Sequence, residues 1–158
     1  VIGVFILCIS IGVFIILGVE LIPYGLNIST AERYYEREQY ELAYNELEGL
    51  TIKEKDMVFY QKLQTIMILQ NQLDSYQSFD GLNLKPEALN ALLKGVSKYD
   101  EFYAQTQEYG IVGTYDSILE QITNALDTEF GVSIDTARMM NALETQEEYS
   151  AQVYDIIN

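Results

Sequence analysis

The hydrophobic and polar residues are distributed in two different ways along the chain. Residues 1–19 contain no charged side chain, and only Cys8 and Ser10 among them are mildly polar. From residue 29 onward, apolar residues recur every three or four positions, which is the period of an amphipathic α-helix. No sustained run of alternating β-branched residues indicates a strand. The pattern therefore predicts an apolar N-terminal segment followed by an all-α region.

Capping signals give approximate helix boundaries in the all-α region. Three stretches fit the capping box, in which a hydroxyl accepts an early backbone N–H and a Glu reaches back: Ser29-x-x-Glu32, Thr51-x-x-Glu54 and Thr145-x-x-Glu148. Pro86 can occupy a first helical turn, and Asp135 can cap the segment after Ser133. Four glycines fall where helices should end: Gly49, Gly81, Gly110 and Gly131. The predicted helices are residues 30–38, 41–49, 53–78, 86–108, 114–130, 135–143 and 146–157.

Each longer predicted helix has a single apolar stripe, and a short loop separates it from the next helix. Short loops make antiparallel neighbours the expected arrangement. No long Pro-, Ser- or Gly-rich linker divides residues 29–158, so we expect them to form one domain. Its architecture is either a helical-hairpin bundle or a short, degenerate solenoid of helical hairpins.

The apolar segment has the length and composition of a membrane-spanning helix. At about 1.5 Å per residue, residues 1–19 would extend about 28 Å, close to the thickness of a bilayer core. Glu20 is expected at the membrane interface, because a carboxylate is costly at the bilayer centre. Pro23 and Tyr24 supply a helix stop and an interfacial aromatic ring. A cleaved signal peptide is the alternative, although its apolar core would be only about 7–15 residues long and no small-x-small site precedes Tyr24.

The sequence thus divides into three predicted parts. They are a transmembrane anchor in contact with the lipid bilayer, residues 1–22; a juxtamembrane linker, residues 23–28; and an acidic all-helical domain, residues 29–158. The first basic residues after the anchor, Arg33 and Arg37, come late, which favours an extracytoplasmic helical domain in a single-pass cell-membrane protein. Because the sequence begins with Val rather than Met, we expect a basic flank or a whole cytoplasmic domain upstream.

Charge restricts the partners of the helical domain. The chain has 24 Asp and Glu against 9 Lys and Arg, a formal net charge of −15. Only Glu20 precedes Pro23 among the charged residues, so the remainder carries 23 acidic and 9 basic residues, a balance of −14. Such a domain should repel phosphate backbones, and nucleic acid is not an expected partner. A basic protein partner is compatible with this charge, which also serves to keep the domain in solution.

The residue types of most catalytic and metal sites are missing. The chain has no histidine, which excludes Ser-His-Asp and Cys-His triads and imidazole metal sites. Cys8 is the sole cysteine, and Asp80-Gly81 lacks the spacing of a calcium-binding EF-hand. Carboxylate pairs such as Glu144 and Glu147 are expected on solvated helix faces of so acidic a chain. We predict no catalytic residue, no cofactor and no metal.

Residues 31–47, AERYYEREQYELAYNEL, resemble one tetratricopeptide repeat within about residues 30–50. The matching packing positions are a small residue, an aromatic pair and an aromatic-x-x-Ala entry into a second helix: Ala31, Tyr34, Tyr35, Tyr40, Ala43 and Leu47. In that family the small residues let two antiparallel helices approach closely, and the aromatic rings fill the groove between them. Lys55 stands where the repeat has a proline, and no second copy follows about 34 residues later. The resemblance implies a scaffold that presents a concave surface to a peptide or protein.

Thirteen tyrosines and no tryptophan make up the unusual part of the composition. Tyrosine is enriched at protein interfaces, because it combines contact area with a hydroxyl group. Most tyrosines, such as Tyr99 and Tyr115, fall on apolar stripes and are expected in the core. Four others are candidates for a partner surface: Tyr44, Tyr60, Tyr109 and Tyr154.

The leading functional prediction is a membrane-tethered helical scaffold or protein-interaction domain, without catalytic activity, for an unidentified protein partner. The alternative is the extracytoplasmic sensor region of a signalling protein whose cytoplasmic output domain lies upstream. A helical enzyme that uses only carboxylates and tyrosines is a third alternative, and it requires a buried cluster of carboxylates in a cleft.

Overall fold

The computed structural model describes residues 23–158, and all the regular secondary structure in this range is helical. Helix α1 covers residues 23–35. It is followed by α2 (Tyr40–Asn45), a 3-10 helix (Glu54–Asp56), α3 (Met57–Gly81), α4 (Lys85–Tyr109), α5 (Val112–Phe130), α6 (Ile134–Asn141) and α7 (Gln146–Ile157). The predicted all-α character is therefore confirmed for the described residues.

The membrane-spanning part of the predicted fold requires correction. Within residues 23–158, no helix combines the length and the apolarity needed to cross a membrane. Helices α3 and α4 are each 25 residues long, but polar and charged side chains recur along both of them. This finding contradicts a single-pass cell-membrane protein with an extracytoplasmic helical domain, and the fold class is corrected to all-α. The segment assigned to the anchor and the bilayer contact, residues 1–22 with Glu20, lies outside the described residues.

The helix ends follow local backbone chemistry at some positions and tertiary packing at others. Thr145 caps α7, where its hydroxyl accepts a hydrogen bond from the Glu148 backbone N–H at 3.2 Å, as predicted. Ser133, rather than Asp135, caps α6 through the Thr136 N–H. The predicted caps at Ser29 and Thr51 are wrong, because Ser29 lies inside α1 and the 3-10 helix starts after Lys53 without a side-chain cap.

The C-terminal ends of α4 and α5 confirm two of the predicted glycine stops. Gly110 and Gly131 have φ of +67° and +63°, a left-handed conformation that residues with a Cβ rarely adopt. The N–H of Ile111 then bonds the carbonyl of Thr106, and the N–H of Val132 bonds that of Leu126. These reversed bonds satisfy helix-end carbonyls that would otherwise lack a partner.

The chain divides into two compact units, with the boundary between Leu63 and Gln64. The first unit has a core of small and aliphatic side chains: Ile28, Ala31, Ala43, Leu47 and Leu63. Aromatic rings surround that core on several sides, and among them are Tyr24, Tyr34, Tyr35, Tyr40, Tyr44, Phe59 and Tyr60. Residues 23–28, assigned above to a linker, are helical and contribute Ile28 and Tyr24 to this cluster.

Helix α4 is the central element of the second unit, because α5, α6 and α7 all contact it. Its buried face is continuous over several turns and includes Ala88, Leu89, Leu92, Leu93 and Val96. Opposite this face lie fully buried side chains of α5 and α6: Tyr115, Ile122, Leu126 and Met140. Helices α5, α6 and α7 therefore share a packed interior with α4.

Helices α4 and α5 approach closely at Gly95. A Cβ atom at this position would lie 2.7 Å from Cδ1 and 3.4 Å from Cγ2 of Ile122, and 3.5 Å from Cβ of Gln72. Ile122 is fully buried, so its end cannot turn into solvent to make room. The glycine is required by this close approach and not by its own backbone conformation.

We expect Gly95→Ala to destabilise the protein by about 1 kcal/mol in net terms. Overpacking a buried contact costs about 1–3 kcal/mol, which exceeds the gain of about 1 kcal/mol from the better helix propensity of alanine. Ile122→Val removes the Cδ1 atom that the new methyl group would meet. The double variant should therefore lose about 1 kcal/mol less than the sum of the single variants in urea unfolding. Strict additivity would contradict the close contact.

Candidate functional site

A groove lies along α7 beside the first turns of α4. Its volume is about 410 Å³. The lining residues come from both helices: Pro86, Glu87, Asn90, Gln146, Tyr149, Ser150, Val153, Tyr154 and Ile157. The sequence builds this surface because Tyr149, Val153 and Ile157 recur every four residues and share one face of α7. We call it the α4–α7 groove.

One hydrogen bond ties α7 to α4 inside the α4–α7 groove. The hydroxyl of Tyr149 donates to Oδ1 of Asn90 at 2.8 Å. Tyr149 is half-buried, and this burial raises the pKa of its phenol above the usual 10.0. The phenol therefore stays protonated and keeps its donor at neutral pH. Val153 is the only residue of α7 that is buried, so this bond adds to a small apolar contact.

Large apolar side chains are exposed in the α4–α7 groove and in the turn that precedes α4. Tyr154 lines it and is 64% exposed. Leu82 and Leu84 are 69% and 40% exposed and precede Pro86, another lining residue, by four and two positions. Exposed apolar surface of this kind is typical of protein-interaction sites, whereas single exposed leucines are common everywhere. The combination of an exposed tyrosine with an apolar groove is the feature that singles out this part of the surface.

A second, polar groove of about 460 Å³ lies on the other side of Tyr149. It shares Asn90, Gln146 and Tyr149 with the α4–α7 groove and adds Lys94, Asn141 and several neighbours. Asn141 also donates to the backbone carbonyl of Leu93 at 2.8 Å, which fixes the end of α6 against α4. The pair of Tyr149 and Asn90 thus separates an apolar groove from a polar one.

Negative charge dominates the second unit. Residues 64–158 contain 15 Asp and Glu and 4 Lys and Arg, a balance of −11. No basic residue follows Arg138, whereas residues 139–158 include four acidic ones: Glu144, Glu147, Glu148 and Asp155. Lys94 is the one basic side chain that lines either the polar groove or the α4–α7 groove. A ligand that approaches α7 therefore meets a negative potential.

The four tyrosines predicted for a partner surface belong to two units, two tyrosines to each. Tyr154 lines the α4–α7 groove. Tyr44 and Tyr60 stack on each other in the first unit, with ring centroids 5.9 Å apart and planes 10° apart. Tyr109 is half-buried at the last residue of α4. Tyr149 is not among the candidates predicted from the sequence. It lies four residues before Val153 on the apolar face of α7, and this spacing is the sequence feature that indicates it.

The six positions of the tetratricopeptide-like segment lie in one cluster of the first unit. Ala31, Ala43 and Leu47 are buried, and the tyrosines pack around them. Tyr35 meets Tyr40 and Phe59 edge-on, with centroids 5.6 and 5.5 Å apart. Burial, followed by the neighbouring phenol of Tyr40, raises the pKa of Tyr35.

The residues assigned to a membrane interface lie on α1 as far as the structure describes them. Pro23 is exposed. Tyr24 is half-buried, and its hydroxyl donates to Oδ2 of Asp56 at 2.7 Å and accepts from the N–H of Lys53 at 3.0 Å. The ammonium group of Lys53 also lies 4.4 Å from the centre of the Tyr24 ring. Tyr24 therefore packs within the first unit.

The first unit has a groove of its own, with a volume of about 630 Å³. It combines an apolar floor with two acidic and two basic side chains: Glu32, Tyr35, Glu36, Lys55, Val58, Phe59 and Lys62. Charges of both signs line this groove, so it selects a ligand by charge less strongly than the α4–α7 groove.

The buried carboxylates required by the enzyme alternative are absent from residues 23–158. The buried polar side chains in that range are those of Thr65 and Thr106, and no Asp or Glu among them is buried. The same residues contain no group of three or more Cys, Asp or Glu that could hold a metal ion. What the described surface offers is contact area, hydrogen-bonding amides and negative charge.

No protein-family model matches this chain, and no curated protein or solved structure is significantly similar to it. Its function is therefore inferred from the geometry and the charge of the residues described above.

Proposed function

We propose that the chain is a helical protein-interaction domain without catalytic activity, and that the α4–α7 groove is its binding site. The observation that carries this proposal is the exposure of Tyr154, at 64%, on the edge of an apolar groove. A large aromatic side chain left in water costs solvation free energy that a partner recovers when it covers the ring. Tyrosines in such positions are frequent hot spots of protein interfaces.

The groove is also held in shape before any partner arrives. The Tyr149–Asn90 bond attaches α7, and the Asn141–Leu93 bond attaches the end of α6. Thr145 caps the start of α7. A site on helices that are already ordered loses less conformational entropy on binding than a mobile loop does.

The resemblance of residues 31–47 to a tetratricopeptide repeat supports the same class of function, because that family consists of scaffolds for peptides and proteins. The support is for the class alone, since one copy carries the resemblance. The charge balance adds to it, as it disfavours nucleic acid as a partner.

Affinity capture with the full chain as bait tests the proposal. We expect Tyr154→Ala to reduce the retention of a specific protein partner about tenfold, because the ring is removed from the contact. The matched control is Met139→Ala, which truncates a side chain that is 71% exposed and lines neither groove of the second unit. Both variants should change the free energy of unfolding by less than about 0.5 kcal/mol.

The comparison between the two variants decides the outcome. A partner that wild type and Met139→Ala retain and Tyr154→Ala loses supports the α4–α7 groove. If every retained protein binds the two variants equally well, the groove is not the binding site.

A further inference from the structure

The α4–α7 groove also constrains the chemistry of its occupant. We propose that it takes a short segment of a partner protein in which apolar side chains alternate with Lys or Arg. This inference rests on the proposed function, since it names the partner of the same groove. Three features of the groove lead to it: its floor, its rim and its size.

The floor of the groove selects apolar side chains. Val153 is almost fully buried at its base, and Pro86 and Ile157 line it from the two helices. None of these three side chains offers a hydrogen bond. Apolar groups of a ligand gain about 25 cal/mol for each Å² that they remove from water here, whereas a polar group would lose its hydration without replacement.

The rim of the groove selects positive charge. Glu87 is exposed and is the one carboxylate among the lining residues. No Lys or Arg lines the groove. Basic side chains on the occupant would therefore meet the Glu87 carboxylate, in a unit with a charge balance of −11, without competition from a cation that lines the groove.

The position of Lys94 favours one orientation of the bound segment. Lys94 lies beyond Tyr149, where it lines the polar groove, and it makes no ion pair with the described residues. The basic side chains of the segment should therefore bind on the side of Glu87. An acidic or carboxamide group of the segment would be better placed beside Lys94 and Asn141.

The size and charge of the site disfavour other occupants. A groove of about 410 Å³ admits a few side chains and not a folded domain. A second copy of this chain brings its own formal charge of −15 against the same acidic surface. Nucleic acid and acidic peptides are repelled for the same reason. A basic and apolar segment is the partner whose charge complements the groove.

Three synthetic fluorescent peptides test the inference by anisotropy titration with the full chain. They are about a dozen residues long, share the same leucine positions, and carry lysine, glutamine or glutamate between the leucines. We expect the lysine peptide to bind about tenfold more tightly than the glutamine peptide, and the glutamate peptide to bind most weakly. The advantage of lysine should shrink several-fold when salt is raised from about 50 mM to about 500 mM.

Variants of the chain assign the effect to the groove. Glu87→Gln should remove most of the preference for lysine and leave the affinity of the glutamine peptide unchanged. Glu120→Gln is the matched control, because Glu120 is an exposed carboxylate on α5 that does not line the groove. Tyr154→Ala should weaken the lysine and glutamine peptides by similar factors, since it removes apolar contact and no charge.

The outcomes separate this inference from the proposed function. The three peptides could bind wild type equally well and all lose affinity for Tyr154→Ala. That result would support the groove as a binding site and overturn the choice of a basic partner. Lysine-dependent binding that is indifferent to Tyr154 and to Glu87 would be adsorption to the acidic surface and would overturn the inference. Absence of binding by every peptide would overturn the inference, while the capture experiment would still decide the function.

Discussion

Replacing Leu92 with alanine is expected to lower the free energy of unfolding by about 2–5 kcal/mol. Leu92 is fully buried on α4, and α5, α6 and α7 all pack on this helix. The truncation removes apolar contacts and leaves a cavity that closely packed neighbours cannot fill. Urea unfolding followed by circular dichroism gives the measurement.

Leu82→Ala is the matched control for that experiment. The chemical change is the same, but Leu82 is 69% exposed in the turn before α4. We expect it to change the free energy of unfolding by less than about 0.5 kcal/mol. Similar losses for the two variants would mean that α4 is not the centre of a packed core.

Stability is also expected to fall steeply as the pH rises above 10. Burial raises the pKa of Tyr115 to about 12, from 10.0 for an exposed tyrosine. Between these values the folded chain keeps a proton that the unfolded chain releases, so a rise in pH favours unfolding. The stabilisation is fully present below pH 10 and is lost as the pH approaches 12. Each pKa unit corresponds to about 1.4 kcal/mol, so the loss from Tyr115 amounts to about 2–3 kcal/mol.

Tyr115→Phe isolates this contribution. The hydroxyl of Tyr115 makes one long hydrogen bond of 3.4 Å to the Lys98 carbonyl, so its removal should cost less than about 1 kcal/mol at neutral pH. The variant should lose less stability than wild type between about pH 10 and pH 12 in urea titrations. Tyr99 still contributes in both proteins, because burial and its hydrogen bond to Asp116 raise its pKa as well. Parallel alkaline losses in the two proteins would contradict the assignment to Tyr115.

The sequence predicts best those features that local chemistry determines. Gly110 and Gly131 end helices because only a left-handed residue closes the reversed hydrogen bonds there. Thr145 caps α7 because its hydroxyl reaches the N–H three residues ahead. The same reasoning fails at Ser29, where α1 already extends through residue 28 and Ile28 is buried in the first unit. There, packing overrides a local capping signal.

The candidate site depends on contacts that are distant in sequence, and only part of it was predictable. The sequence makes Tyr154 a candidate for a partner surface, because it is not among the tyrosines that fall on the apolar stripes. The sequence does not identify Tyr149 as a site residue, because its hydrogen-bond partner Asn90 is 59 residues away in the chain. The close approach at Gly95 likewise depends on Ile122, which lies on another helix. Periodicity locates a helix face, but it does not identify the residues that face it.

The membrane prediction rests on the composition of one segment, and the described helices do not support it. Residues 1–19 have the length and apolarity expected of a spanning helix. The predicted membrane localisation and tethering depend on that one segment, and the predicted orientation depends on the late position of Arg33 and Arg37. Among residues 23–158 no helix meets the same requirement. The proposed interaction function does not depend on an anchor, because its binding site lies on α4 and α7.

The most direct test of the account is site-specific photo-crosslinking from the α4–α7 groove in living cells. A photoreactive amino acid would replace Tyr154 in one full-length variant and Met139 in another, and crosslinked peptides would be identified by mass spectrometry. We expect position 154 to crosslink to a defined segment of another protein, and that segment to contain apolar and basic residues. Position 139 should not crosslink to it. Equal, unselective crosslinking from both positions would contradict it.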